Sequence, residues 1–394
     1  MHGDMCKRIV STISSRRIRK FTELTRRLLS ESKLLAGKEV HFLINPISGR
    51  LRRCETHRRM MRKIERLADA HGAVNHPEIH NSGGVVPSEN SMSNRHETGS
   101  TDELEARGGK DLPRLCFHET NNSDEACMLA LEIVRDFTRL RGEHLHLLIL
   151  AGGDGFHRDI CSALVRHAPS SLQNFILFRL PLGTGNDSAD AQTIEEALFI
   201  LNTAGTTKKD ALIEIRTSMG AIHHACNTVC LGIDAFVCLL TNKMKKLLGS
   251  AFIYRFFANV AVLFYELFQP LREWNIIISK PDGGIEKRRG RYLLNVFGRK
   301  GNTTYGGGMK VLPGRENYLL VQPQSLLNKL KLKPLFYRGA HRHLPSMEFF
   351  LSDRVEMNYD GSILMALDGE VRPLRPEDFP LVIKKIPDAL TVLR

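Results

Sequence analysis

Between residues 114 and 204 three short apolar runs, "RLCFH" (114–118), "HLHLLILA" (144–151) and "FILFRLP" (175–181), alternate with stretches of helical spacing, "SDEACMLALEIVRDFTRL", "FHRDICSALVRHA" and "TIEEALFILNTA". Strands that feed helices in this order build parallel βαβ units, wound right-handed, and ligands collect at the carboxyl ends of such strands. "VHFLI" (40–44), the turn "NPISGR" and the helix "LRRCETHRRMMRKIERLADAHG", closing on Gly72 as its C-cap, add one more unit upstream. Residues 75–113 are polar, poor in aromatics and rich in Gly, Ser, Asn and Glu, so they read as a flexible insertion.

Past Gly205 the rhythm changes. "DALIEIRT", "AIHHACNTVCLGI", "EWNIIIS", "RYLLNVFG", "NYLLVQP", "MEFFLS", "RVEMN", "SILMALDG" and "PLVIKKI" are short strands between turn residues, with a helical excursion at 234–269. The expected organisation is a basic extension over 1–38, an α/β domain over 39–205, and a β-rich domain over 206–394 whose last residues return to the first. The fold class is α/β plus β: a parallel-sheet domain, then a β-sandwich, with the site in the cleft between them.

The net charge of +13 is concentrated at one end, because residues 1–66 hold 18 Lys and Arg against 6 Asp and Glu. Ile9, Ile13, Ile18, Phe21, Leu24 and Leu28 recur among these arginines at helical spacing, which suits a helix lying on an anionic membrane or a solvated basic extension. No nucleic-acid partner is inferred. The most apolar window, Ala251 to Phe268, carries Arg255, Asn259 and Glu266, so it reads as a buried or interfacial helix rather than a span. No secretory leader is evident, which places the chain in the cytoplasm. Eight cysteines without a CxxC pair read as reduced. "HHACNTVC" is a weak zinc reading, since in one alternating strand Cys226 and Cys230 share a face with His224 while His223 points away.

Chemistry is concentrated in three loops that each follow a strand: Asn45, Pro46, Ser48 and Gly49; Gly152, Gly153, Asp154 and Gly155; and Gly183, Thr184, Gly185, Asn186 and Asp187. In a parallel sheet these meet at one edge. Their small residues let backbone N–H groups approach a phosphate, and Asp154 can hold magnesium. There is no Walker P-loop, no GxGxxG with a following acidic residue and no GxSxG elbow.

The series NPxSG, GGDGxxxx(E/D), LPxGTGND, "NTVCLGIDA", YGGGM and "DGE" (368–370), running from 39 to 394, resembles the diacylglycerol kinase catalytic-domain family, most closely its soluble bacterial members, with sphingosine kinases and NAD kinases as relatives. That resemblance implies ATP and Mg²⁺ in an interdomain cleft. It implies that Asn45, Ser48, Gly49 and Thr120 lie at the nucleotide, that Gly153 to Asp159 cradle the phosphates, and that Thr184 sits in the third loop. Asp154 would be the metal ligand, and Asp368 or Glu370 the base acting on a lipid hydroxyl. The implied acceptor is diacylglycerol or a similar lipid at the inner face of a membrane, approached peripherally through the basic N-terminus, and a homodimer is left open. NAD kinase, sphingoid-base kinase and a catalytically weak regulator remain alternatives.

Departures from the family pattern are Phe156 in place of Thr, expected to put bulk beside the phosphates, Asp159-Ile160 for Glu-Val, Ser188 for Phe, and "LPGRENYLLVQ", which lacks the Asp-Gly of a structural magnesium loop. His341 and His343 read as exposed loop residues, Arg342 and Lys333 as possible headgroup contacts, and Asp234 as a helix cap.

Overall fold

Val40 to Ile44 and Leu147 to Gly152 are buried at every position, which is what a strand covered by helices on both faces requires. The computed structural model describes residues 2–30, 32, 34–75, 112–139, 146–203, 205–248, 251–305 and 308–394. Nearly all of the insertion read at 75–113 falls outside them.

The first part of the chain contains α1 (His2–Leu29), β1 (Glu39–Ile44), α2 (Gly49–Arg52), α3 (Cys54–Asn75), β2 (Arg114–Glu119), α4 (Ser123–Arg139), β3 (His146–Gly152), α5 (Asp154–His167), α6 (Pro169–Leu172), β4 (Phe175–Pro181) and α7 (Ile194–Thr203). The four strands are parallel in the order β2-β1-β3-β4. One face packs on α1, α3 and α7 through Phe21, Phe42, Ile64, Phe178 and Leu198. The other packs on α4 and α5 through Leu43, Ala130, Leu150 and Ile160.

The N-terminal segment is not a detached extension. Ile18, Phe21 and Leu28 are at most 4% exposed in the core, Leu24 packs beside them, and Lys20 pairs with Glu65 of α3 at 2.6 Å. The apolar stripe from Ile18 onward therefore meets protein, not a bilayer; Ile9 and Ile13 lie outside the residues whose side chains are described. A stripe at i, i+3, i+4 serves either surface equally, so periodicity could not choose between them. Gly72 likewise does not end its helix, which continues to Asn75.

The second part contains β5 (Thr207–Arg216), β6 (Ile222–Ala225), β7 (Thr228–Gly232), α8 (Ile233–Leu248), α9 (Ala251–Phe268), β8 (Glu273–Ser279), β9 (Ile285–Arg291), β10 (Leu294–Gly298), β11 (Thr303–Tyr305), β12 (Met309–Leu312), β13 (Tyr318–Val321), α10 (Leu326–Arg338), β14 (Met347–Phe350), β15 (Arg354–Tyr359), β16 (Ile363–Leu367), β17 (Glu370–Leu374) and β18 (Leu381–Leu393). β18 pairs with β15 and β5, then lays Val392 beside Leu177 of β4. One ten-stranded sheet thus runs β2-β1-β3-β4-β18-β15-β8-β9, with β5 on β18 and β6 on β5. A six-stranded antiparallel sheet, β14-β13-β10-β7-β16-β17, faces its second half across Trp274, Phe297, Tyr318, Met357 and Ile383. The result is an α/β unit followed by a β-sandwich, the order the sequence implied.

Two local readings change. "AIHHACNTVCLGI" is two strands, because the chain leaves the large sheet at Cys226-Asn227 and enters the smaller one as β7. His341 is buried, stacked on Phe336 at 3.9 Å and bonded to the Val311 carbonyl at 3.1 Å, whereas His343 is exposed.

Candidate active site

The three glycine-rich loops are stitched together by backbone. Asn45 N donates to Ala151 O at 3.0 Å, Arg50 N to Leu182 O at 3.0 Å, Leu182 N to Gly152 O at 2.9 Å, and Thr120 N to Ile44 O at 3.1 Å. A methyl group at Gly183 would stand 2.6 Å from Gly153 Cα, so the second and third loops touch main chain to main chain, an approach that only glycine permits. Gly153 opens α5 as its N-cap, and no side chain caps the helix there, so its first-turn amides have no partner within the helix.

Asp154 clasps the third loop. Its Oδ2 accepts from Asn186 N at 2.9 Å, and its Oδ1 from Ser188 N and Ser188 Oγ, both at 2.8 Å. Ser188 Oγ also lies 3.1 Å from Nδ1 of His157, whose Nε2 is 3.0 Å from Leu150 O. Burial pushes His157 down to about 4. The Phe-to-Ser change at 188 thus installs a hydroxyl that links Asp154 to a buried histidine. Phe156 does not crowd the phosphates. It is 4% exposed in the core beside Ile160 and covers Gly152, where a methyl group would strike the ring at 2.4 Å. The helical turn after Gly153 points position 156 inward, a direction that motif alignment could not show.

The second domain reaches this edge through a two-residue turn. Asp368 (φ 49°) and Gly369 (φ 87°) join β16 to β17 with Leu367 opposite Glu370, as Asp-Gly favours in a hairpin. Asp368 Oδ2 accepts from Cys226 N at 2.6 Å, and Oδ1 from Asn227 N at 2.8 Å and Thr228 N at 3.0 Å. The carboxylate therefore fills the break between β6 and β7. Burial raises its pKa against the pull of the Cys226 and Thr228 amides, and the Asp154 charge adds to the rise. Glu370 is exposed, with Oε1 3.7 Å from where a Gly155 methyl would stand. Arg158 bridges the two domains: its NH1 donates to Leu367 O at 3.1 Å and its NH2 to Asp159 at 2.7 Å. Burial alone would lower the Arg158 pKa, but Asp159, Asp368 and Glu370 outweigh it.

The structure therefore sets the loops of Asn45, Pro46, Ser48 and Gly49, of Gly152 to Gly155 and of Gly183 to Asp187, with Thr120, at one edge of the sheet, and brings Glu370 of the Asp368–Glu370 pair up to Gly155, while Asp159 is turned to Arg158. Arg179 and Asp190 are not among the residues the sequence points to, and it gives His157, Arg158 and Ser188 no role of their own. Arg179, fully buried, binds Asp190 at 2.7 Å and Asp210 at 2.6 Å beneath the third loop, and Arg299 pairs with the same Asp210. An arginine inside the apolar run "FILFRLP" was the available signal. The residues fit a phosphate-bound cation. A methyl at Gly185 would lie 2.8 Å from Asp154 Oδ2 and 3.5 Å from Asp187 Oδ2, so carboxylates of both residues border that glycine. Ser48 Oγ and Asn186 Oδ1 are buried without a hydrogen-bond partner among the described residues.

Residues 39–215 match the diacylglycerol kinase catalytic domain, and residues 227–394 match the YegS C-terminal NAD kinase beta sandwich-like domain. The chain thus joins a diacylglycerol kinase catalytic domain to a YegS-type C-terminal domain. Two solved structures align over most of it. A proposed diacylglycerol kinase from Bacillus anthracis str. Sterne is 15% identical, with a TM-score of 0.53, 92% of this chain and 97% of that one covered. A diacylglycerol kinase from the same organism is 13% identical, with a TM-score of 0.50, 91% and 97% covered. At such identities the likeness concerns the fold alone. No curated protein matches the chain. A diacylglycerol kinase-type catalytic domain is a kinase domain, and the family implies ATP as phosphoryl donor.

Proposed function

We propose that the protein transfers the terminal phosphoryl group of ATP to the hydroxyl of diacylglycerol or a similar lipid, giving phosphatidate. The observation that carries this reading is the approach of Glu370 to Gly155, which sets a second-domain carboxylate against the phosphate cradle of the first. The lipid O–H gives its proton to Glu370 as its oxygen attacks the terminal phosphorus, and the bond to the β-phosphate oxygen breaks to release ADP. Asp368, engaged by three amides, positions the hairpin that presents Glu370. Asp154 and Asp187 would hold magnesium, which neutralises phosphate charge when bound.

A lipid acceptor is supported by the surface beside the cleft. α8, whose Asn242 binds Gly369 O at 2.8 Å, also borders an apolar cavity lined by Val237, Leu293, Leu332 and Phe336. Next to it α9 and α10 expose Phe264, Leu267, Phe268, Leu326, Leu327 and Leu330, apolar side chains of the kind that meet a bilayer. Peripheral association is therefore assigned to this patch rather than to α1. Among the described residues no helix is long and apolar enough to cross a membrane.

Radiolabelled ATP and mixed vesicles of diacylglycerol, ceramide and phosphatidylglycerol test the reading. Label should enter a lipid, with a loss of roughly 10²–10⁴-fold in Glu370→Gln and complete loss in Asp154→Ala. Nucleotide binding without transfer to any lipid would leave the chain a regulator.

A further inference from the structure

At the opposite end of β1 from the active-site loops, Glu39 and His41 alternate onto one face, and the parallel register sets Cys116 of β2 beside His41. Leu43 of the same face is buried against α4 and α5, so these side chains hang on that side of the sheet. Glu39 Oε1 lies 3.6 Å from His41 Nε2 and 3.8 Å from Cys116 Sγ, and the three atoms all fall within 4.8 Å of one another. Tetrahedral zinc, with bonds of about 2.0–2.3 Å, sets its ligand atoms at roughly 3.3–3.8 Å. We propose that Glu39, His41 and Cys116 form a site for a zinc-type divalent cation that fastens the edge strand β2 to β1.

The surroundings suit this chemistry. His41 Nδ1 is 3.1 Å from Nε2 of His118, with the rings stacked at 11°, so a proton on Nδ1 held by His118 turns the Nε2 lone pair toward Glu39 and Cys116. Such an outer partner is the usual means of orienting a histidine ligand. Binding must expel the Cys116 thiol proton to solvent as the sulfur–metal bond forms. Arg114 NH1, 3.6 Å from Glu39 and on a side chain 78% exposed, is the competing cation. It can swing into water when a metal enters. Among the described residues β2 is the outermost strand of its sheet, joined to β1 alone, and a metal clip would add a second fastening there.

Cobalt(II) added to the full chain should produce a sulfur-to-metal charge-transfer band that zinc displaces, with a rise in the thermal midpoint. Cys116→Ser should lose the band and weaken binding. Arg114→Gln should bind more tightly, a gain that misfolding cannot imitate, and Cys54→Ser, at an exposed cysteine, should change nothing. Affinity should fall as pH drops. Absence of the band, its persistence in Cys116→Ser, or its loss in Cys54→Ser would overturn the site.

Discussion

Gly183 and His157 show how individual residues set the site. The Gly183→Ala methyl would meet Gly153 main chain, which no rotamer can relieve; a loss of about 1–3 kcal/mol in unfolding free energy is expected, together with loss of phosphoryl transfer. His157 is fully buried and held near 4 by burial, with Asp154 and Asp190 opposing and Arg179 assisting. Its unfolded counterpart titrates near 6.5, so between these values the unfolded chain binds the extra proton. Stability contributed by the neutral ring is present above pH 6.5 and is lost as pH falls toward 4. In urea titrations across that window, His157→Gln should flatten the slope by up to about 1.4 kcal/mol per pH unit; an unchanged slope would mean that His157 takes up its proton at the same pH in the folded and unfolded chain.

Single elements separate the roles of the acidic pair. The β16–β17 hairpin carries both, yet Asp368 is bonded to three amides of the β6–β7 break whereas Glu370 is exposed. Asp368→Asn places an NH₂ against at least one of those amides, so both thermal stability and activity should fall. Glu370→Gln should lower kcat while leaving the thermal midpoint in place, and equal destabilisation by both substitutions would contradict the assignment. α1 offers a second contrast. Phe21 is wholly buried against the sheet core, so Phe21→Ala should cost about 3–5 kcal/mol in denaturant unfolding; a detached basic extension would register almost nothing.

Across the whole molecule the two domains are held as one. β18 runs through the ten-stranded sheet from the sandwich to β4, and the largely buried Arg179, Asp190, Asp210 and Arg299 network crosses the same boundary. Burial alone would raise Asp210, but Arg299 and Arg179 hold its carboxyl below the ordinary range. Arg179→Met leaves Asp190 buried and unmatched, with an expected loss of about 3–5 kcal/mol and a disordered third loop, read as lower stability and weaker nucleotide binding together.

Element types and the three loops were legible because strand and helix periods, and glycine after a strand, are local properties of the chain. The polar edge strand β9, with alternating exposure and the run "EKRR", carries too little apolar signal to be read that way. α10 was masked by Pro334, although Ser325 and Gly339 cap it at its two ends. The sequence alone determined which residues can approach a phosphate and in what order they come. Only the tertiary structure decided that Phe156 turns inward, that α1 joins the core, that Asp368 bonds to amides while Glu370 faces the cleft, and that Ser188 ties Asp154 to His157. Each of these depends on which surface a side chain meets across the sheet, and contacts between residues distant along the chain leave no local period to read.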